Sequence, residues 1–298
     1  MRVFVTGATG FVGSAVVQEL INAGHQVLGL SRSDAGARAL VAAGAQVQRG
    51  DLQDLESLRS GAALSDGVIH TAFIHDFSKF QENCEIDRRA IEALGGALAG
   101  SNRPLVITSG TGMGSSMPGQ PATEDNFDPH HPNPRKSSEL AGISVATRGV
   151  NVSVVRLPQV HDRDKQGLIS YSIALARAKG ISVYIGDGLN RWPAVHRLDV
   201  APAYRLALER GVAGARYHAV AEEGVTAREI AGAIGRVLKI PVVSKSAEEA
   251  AAHFGWLGSF AGMDMPASSA LTQQRLGWRP TQKAGMIDDL DHASAFGA

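Results

Sequence analysis

The sequence predicts an α/β fold: a doubly wound parallel sheet covered by helices on both faces, with a smaller C-terminal α/β cap. Three observations carry this. Short apolar runs alternate with helix-sized amphipathic segments over the first two-thirds of the chain. Several of those runs are continuously apolar, as strands buried on both faces require. After Pro158 the alternation gives way to strand-like pieces scattered among helices.

The elements follow in order. Val3 to Thr6 reads as a strand. Phe11 to Ala23 has apolar residues at helical spacing and stops at Gly24. The pattern then predicts strands over 26–30, 46–49, 67–71, 105–108 and 152–156. Helices are predicted over 34–43, 54–61, 77–99 and 133–148. Strands separated by helices imply right-handed crossovers. The predicted organisation is a dinucleotide-binding domain over 1–157, to which 196–215 returns, and 158–298 mostly as a substrate-binding cap. Within the latter, 182–185 and 216–220 look like strands, and 226–238, parts of 247–254 and 268–276 like helices. The segment Ser115–Pro134, rich in Pro, Ser, Asn and His, is predicted to be a long loop, and such loops are usually functional.

Composition narrows the function classes. The chain has 298 residues, 44% hydrophobic, enough for a sizeable core. Its 29 basic and 29 acidic residues cancel, which argues against a nucleic-acid partner. A single cysteine, Cys84, excludes an intrachain disulfide and a Cys-based metal cluster, and no His-x-x-x-His or carboxylate cluster points to a metal. Neither a signal peptide nor a membrane-length apolar run is visible, so the expectation is a soluble, cytoplasmic protein with no membrane partner.

The strongest motif is Thr6-Gly7-Ala8-Thr9-Gly10-Phe11-Val12-Gly13. It leaves the first strand and opens the first helix. The first glycine permits the tight turn, the second lets backbone approach a pyrophosphate, and the third brings helix against strand. Helix-terminal N–H groups and the helix dipole then meet the phosphates. The second strand leads into Ser31-Arg32, where an acid for an NAD ribose hydroxyl would usually stand. An arginine there pairs with a 2′-phosphate, so NADP is the expected cofactor, with NAD still compatible because Asp34 is near. Asp51, followed by Leu52, is placed to accept from an adenine amino group or to cap the next helix. Thr71-Ala72-Phe73 ends the fourth strand at the sheet edge where ligands collect.

Together, Gly7-x-x-Gly10-x-x-Gly13, Gly50-Asp51-Leu52, Val68-Ile69-His70-Thr71-Ala72, Val155-Arg156-Leu157-Pro158-Gln159-Val160, His196-x-x-Asp199-Val200 and Leu276-Gly277-Trp278-Arg279-Pro280 resemble the extended short-chain dehydrogenase/reductase family, also called NAD-dependent epimerase/dehydratase. The resemblance spans nearly the whole chain. It implies a Rossmann core, a C-terminal substrate cap, a bound nicotinamide cofactor and often a homodimer formed through the helices at 77–99 and 133–148. It adds Thr108, Pro158 and Val160 to the cofactor-binding set.

The resemblance also implies a catalytic Ser/Thr after the fifth strand and a Tyr-x-x-x-Lys pair on the next helix. Alignment puts Arg135 at the Tyr position and Glu139 at the Lys position, and neither residue can do that chemistry. Arg135 and Glu139 read first as an i, i+4 ion pair worth about 0.3–0.5 kcal/mol, the alternative being that Arg135 holds an anionic substrate or the cofactor. The hydroxyl element becomes Ser109 or Thr111, flanking Gly110. A replacement proton donor is sought among His161, His75, His130 and His131. His196 with Asp199 reads as structural. Substrate-pocket candidates are His75, Arg135, Trp192 and Trp256, with Phe73, Phe77, Phe254, Phe260 and Met263 as further apolar lining. The expected activity is hydride transfer between NADP(H) and a small carbonyl-type or unsaturated compound. Sugar-nucleotide epimerisation or dehydration, and cofactor sensing without turnover, are the alternatives.

Overall fold

The structure, a computed structural model, describes residues 1–293. Its first half alternates as the sequence predicts: β1 (Arg2–Thr6), α1 (Phe11–Asn22), β2 (Gln26–Ser31), α2 (Asp34–Ala42), β3 (Gln46–Arg49), α3 (Leu55–Ala63), β4 (Gly67–His70), α4 (Phe80–Leu98), β5 (Pro104–Gly110), α5 (Lys136–Ala146) and β6 (Asn151–Leu157). Local chemistry sets the boundaries. The Ser33 hydroxyl accepts from Gly36 N at the start of α2, and Asp54 does the same for Ser57 N at α3. Gly24 and Gly44, both at positive φ, end the turns after α1 and α2. Helix α5 starts three residues later than the sequence predicts. Asn133 and Pro134 form a side-chain-bonded turn instead, with Asn133 Oδ1 accepting from Arg135 N.

The second half contains β7 (Gln159–His161), α6 (Ile169–Lys179), β8 (Ser182–Ile185), β9 (Arg191–His196), α7 (Arg197–Arg210), β10 (Arg216–His218), β11 (Glu222–Thr226), α8 (Ala227–Leu238), β12 (Val242–Lys245), α9 (Ala247–Phe254), α10 (Gly258–Ala261), α11 (Ala270–Leu276) and α12 (Met286–Asp291). A seven-stranded parallel sheet runs in the order β10-β6-β5-β4-β1-β2-β3. The strand order reverses between β1 and β4, which is the switch point where open α/β sheets bind ligands. One face packs under α1 and α7 and the other under α3, α4 and α5. Two small sheets, β11-β9-β7 and β12-β8, lie outside it. Helix α7 packs on α1, and β10 then pairs with β6. Strand β10 thereby forms the edge of the large sheet, with Tyr217 and His218 buried.

One buried guanidinium ties these layers together. Arg156 on β6 is wholly buried and bonds Glu139 on α5 through Nε (2.7 Å) and Nη2 (2.9 Å). It also donates to the carbonyls of Thr123 and Asn126, which pins the long 115–134 loop. Glu139 receives a second guanidinium, Arg216 on β10, at 2.7 Å. Burial and the charge of Arg156 push His218 down to about 3, so its neutral ring accepts from Arg156 and donates to Ser268 O. The expected Arg135–Glu139 ion pair is thus absent. Glu139 faces β6, where two guanidinium groups hold it, and Arg135 turns elsewhere.

Burial works to raise the Glu139 pKa, but hydrogen bonds and charge from Arg156 and then Arg216 outweigh it and hold the carboxyl below its usual range. Stability from this group is present above the unfolded carboxylate pKa and disappears as pH falls through the lower folded value. Glu139→Ala leaves Arg156 buried and uncompensated and is expected to cost about 3–5 kcal/mol in urea denaturation at neutral pH. A loss under about 1 kcal/mol would contradict this account.

Candidate active site

The floor of the site is the turn between β1 and α1. Gly7 adopts φ 67°, and a Cβ there would lie 2.7 Å from Ala72 N and 2.8 Å from Thr71 Oγ1. A Cβ on Gly13 would sit 2.0 Å from Gly7 O. These two glycines let the loop, the helix and the end of β4 approach closely. Gly10 caps α1 without a side-chain bond, leaving the N-terminal N–H groups of a twelve-residue helix available beside Phe11 and Val12. Thr71 Oγ1 donates to Thr6 O at 2.7 Å, which holds Thr71-Ala72-Phe73 against the loop. Thr9 is exposed at the rim. This cradle fits a dinucleotide pyrophosphate.

At the ribose end, Ser31 is buried and donates to Ser33 O. Arg32 is exposed and makes no ion pair among the described residues. Asp34 is ion-paired with Arg49, which stands beside Ser31 across the β2–β3 ladder. The acid that kept NAD compatible is therefore engaged by a cation. Asp51 Oδ1 accepts from the backbone N–H groups of Gln53 and Asp54, and it is Asp54 that caps α3, so the capping reading of Asp51 is corrected. Leu52 is buried beneath.

A buried polar chain runs from this floor to Arg135. Thr6 Oγ1 meets His70 Nδ1 at 2.7 Å, and His70 Nε2 meets Asp87 at 3.0 Å. Asp87 on α4 accepts from Arg135 Nη1 (2.7 Å) and Ser138 Oγ (2.6 Å). Arg135 Nη2 reaches Thr108 O at 2.9 Å, and the Thr108 hydroxyl lies 2.6 Å from Tyr204. Burial alone would raise the Asp87 pKa, but Arg135 and then His70 and Ser138 outweigh it and lower it to about 2. The carboxylate is therefore fixed as an anion and fixes Arg135 in turn. The guanidinium also lies over the Phe73 ring, 4.1 Å from its centroid.

Phe73 begins an aromatic wall that crosses to the second half of the chain. His75 stands edge-on to Phe73 at 5.5 Å, and Phe77 stacks on Trp256 at 4.7 Å with planes 5° apart. Tyr171, Phe80 and Phe260 complete it. Trp256 thus joins the candidate pocket, but Trp192 does not. It is buried on β9 in the apolar core of the second half, its Nε1 bonded to Met263 O. Phe254 packs in a separate cluster with Leu257.

His161 is buried, with Nδ1 2.7 Å from Asp289 and its ring against His196, while its Nε2 has no hydrogen-bond partner among the described residues. Burial lowers its pKa despite the opposing pull of Asp289. His131 Nδ1 accepts from Asn133 N, and His130 lies in the turn beginning at Asp128. Ser109 is buried with a hydroxyl that has no partner among the described residues, and Thr111 opens a short turn after β5. Pro158 links β6 to β7, and Val160 is buried on β7, paired with Val195 of β9. His196 caps α7 by accepting from Leu198 N, and Asp199 binds the backbone of Thr281 and Gln282. Sequence reasoning missed Asp87, whose only signal was an acid on an otherwise apolar stripe of α4.

Gly13→Ala is expected to weaken NADPH binding by about tenfold or more, because its Cβ collides with Gly7 O and opens the cradle. Fluorescence titration of NADPH, with circular dichroism confirming the fold, checks this. Unchanged affinity in a folded variant would remove the turn from the binding site.

The profile of the NAD dependent epimerase/dehydratase family matches residues 3–221. An uncharacterized protein of Schizosaccharomyces pombe is 52% identical over 97% of this chain and 98% of its own. A UDP-glucose 4-epimerase of Streptomyces lividans is 26% identical over 94% of this chain and 92% of its own. The crystal structure of Thermus thermophilus UDP-glucose 4-epimerase with NAD superposes with a TM-score of 0.75 at 23% identity, covering 99% of both chains. The protein therefore belongs to the NAD dependent epimerase/dehydratase family, within the extended short-chain dehydrogenases/reductases, and is an NAD(P)-dependent enzyme.

Proposed function

We propose that this enzyme is an NADP(H)-dependent oxidoreductase acting on a small, partly apolar carbonyl-type or unsaturated compound. The observation that carries this reading is the continuity of the cofactor floor with the aromatic wall. Thr71 and Ala72 contact the glycine loop, and the next residues, Phe73 to Phe77, lead directly to Trp256. A bound nicotinamide would supply hydride at the inner end of that wall. Arg32, exposed and without an ion-pair partner among the described residues, is the 2′-phosphate ligand, and Asp34 is held off by Arg49. Ser109 or Thr111 positions the substrate oxygen. The core over 1–157 with its return binds the cofactor, and the remainder from 158 forms most of the substrate cap. A cytoplasmic homodimer is part of this reading.

The likeness to UDP-glucose 4-epimerases favours a second reading, sugar-nucleotide epimerisation with retained NAD. The tyrosines oppose it. Tyr204 is wholly buried against Thr108, Tyr217 accepts from Val212 N, Tyr184 lies under Arg228, and Tyr171 sits in the outer wall.

Consumption of NADPH and of NADH against aldehydes, ketones, imines and enones tests the proposal. Arg32→Ala is expected to raise KM for NADPH by about 10- to 100-fold and to leave NADH nearly unaffected. Equal effects on both cofactors would reject the 2′-phosphate assignment. Binding of NADPH without consumption across the panel would favour cofactor sensing.

A further inference from the structure

The second half of the chain encloses a cavity of about 40 Å³ between α6, β8, β9, α8 and the α9–α10 segment. Its buried walls are Ile169, Ala176, Trp192, Ile230, Ala231 and Ile234. That space holds about three methylene-sized groups. Polar atoms beside it are engaged within the protein: Ser182 Oγ donates to Ala231 O at 2.8 Å, and Trp192 Nε1 donates to Met263 O at 3.2 Å. No carboxylate, lysine or arginine stands among the described lining residues. His253 also lines the space, and burial, then Lys179 and Lys245, hold its pKa below the ordinary 6.5, so the ring is neutral at neutral pH. A water there would find few partners, whereas a hydrocarbon chain would be surrounded by carbon. The cavity is not sealed: Ser172, Tyr184, Ile185 and Ala261 on its rim are half-buried.

The cavity lies directly behind the aromatic wall of the cleft, and three segments serve both. On α6, Tyr171 joins the wall and Ser172 the cavity. At the end of α9, Phe254 lines the cavity, and two residues on Trp256 stacks on Phe77. On α10, Phe260 belongs to the wall and Ala261 to the cavity. Phe260 is the shared ring. It packs against both apolar clusters that bound the cavity and stands edge-on to Phe77 and Phe80, 6.4 Å from each. Along the wall, Phe73, which carries Arg135, is 6.2 Å from Phe80, and Phe80 is 6.4 Å from Phe260. A flat body of about two rings spans that distance.

We propose that this cavity is an accessory substrate pocket for a short, uncharged alkyl arm, and that the substrate is a flat aryl carbonyl compound bearing such an arm at the end remote from its carbonyl. This rests on the carbonyl-reduction reading above and deepens it. The aryl body lies along the wall from Phe73 to Phe260, and the arm passes Phe260 into the space between Ile230, Ile234 and Trp192. Trp192, which is not part of the wall, meets the far end of the same substrate. Arms longer than about three carbons outgrow the cavity and gain nothing further. A charged arm is rejected, because no lining group would pair with it.

The test uses the protein saturated with NADPH and alcohols that cannot react with it: 2-naphthylmethanol and its 6-propyl and 6-hexyl derivatives, titrated by calorimetry. The propyl alcohol is expected to bind about tenfold or more tighter than 2-naphthylmethanol, and the hexyl alcohol no tighter than the propyl. Affinity that keeps rising through the hexyl arm, or that fails to rise with the propyl arm, overturns the pocket. Ala231→Leu on α8 fills the space and is expected to cut the propyl advantage to about twofold or less, and Ala176→Val on α6 to reduce it from the other side. Circular dichroism confirms the fold of each variant. An advantage kept in full by either folded variant overturns the assignment. The matching aldehydes are then compared in NADPH oxidation, where the propyl arm is expected to raise kcat/KM by about tenfold. A protein that prefers the propyl alcohol but oxidises NADPH with neither aldehyde sinks the carbonyl-reduction reading, and the substrate class with it, but not the pocket. An enzyme active on both aldehydes without a propyl preference sinks the pocket alone.

Discussion

The buried pair between Arg156 and Glu139 is the constraint on which the site depends. Neither side chain has any exposure, so each charge relies on the other and on Arg216, Thr123 O and Asn126 O. A guanidinium with this many partners fixes β6, α5, β10 and the 115–134 loop relative to one another. With Glu139 locked toward β6, Arg135 four residues earlier is brought to the carboxyl edge of the sheet. There Asp87 and Thr108 O receive it.

From that point the polar chain continues inward. Asp87 links Arg135 to His70, and His70 links to Thr6, which bears on the glycine loop through its backbone and Thr71. The cofactor floor and the cleft arginine are thus parts of one hydrogen-bonded unit, buried where each bond is strong and each unpaired group costly. The molecule as a whole has no net charge. Locally Arg135 lies over Phe73 with Asp87 as its carboxylate partner, and Lys165 and Arg197 lie over Phe11, with Asp162 paired to Arg197. This is a field suited to an anionic dinucleotide and to a substrate oxygen gaining charge.

The sequence by itself determined the alternating core, its parallel sheet and the glycine turn. Those follow from short-range causes: apolar periodicity, a few caps, and glycines where a Cβ has no room, as at Gly7 and Gly13. Only the tertiary structure decided which charges meet. Arg135 and Glu139 are one helical turn apart, yet each takes a partner distant in sequence, because burial rewards complete pairing over proximity. The same holds for His161, drawn to Asp289, and for Trp192, absorbed into a core while Trp256 reaches Phe77. Side-chain direction at long range is a property of packing, and packing is settled only when the whole chain has folded.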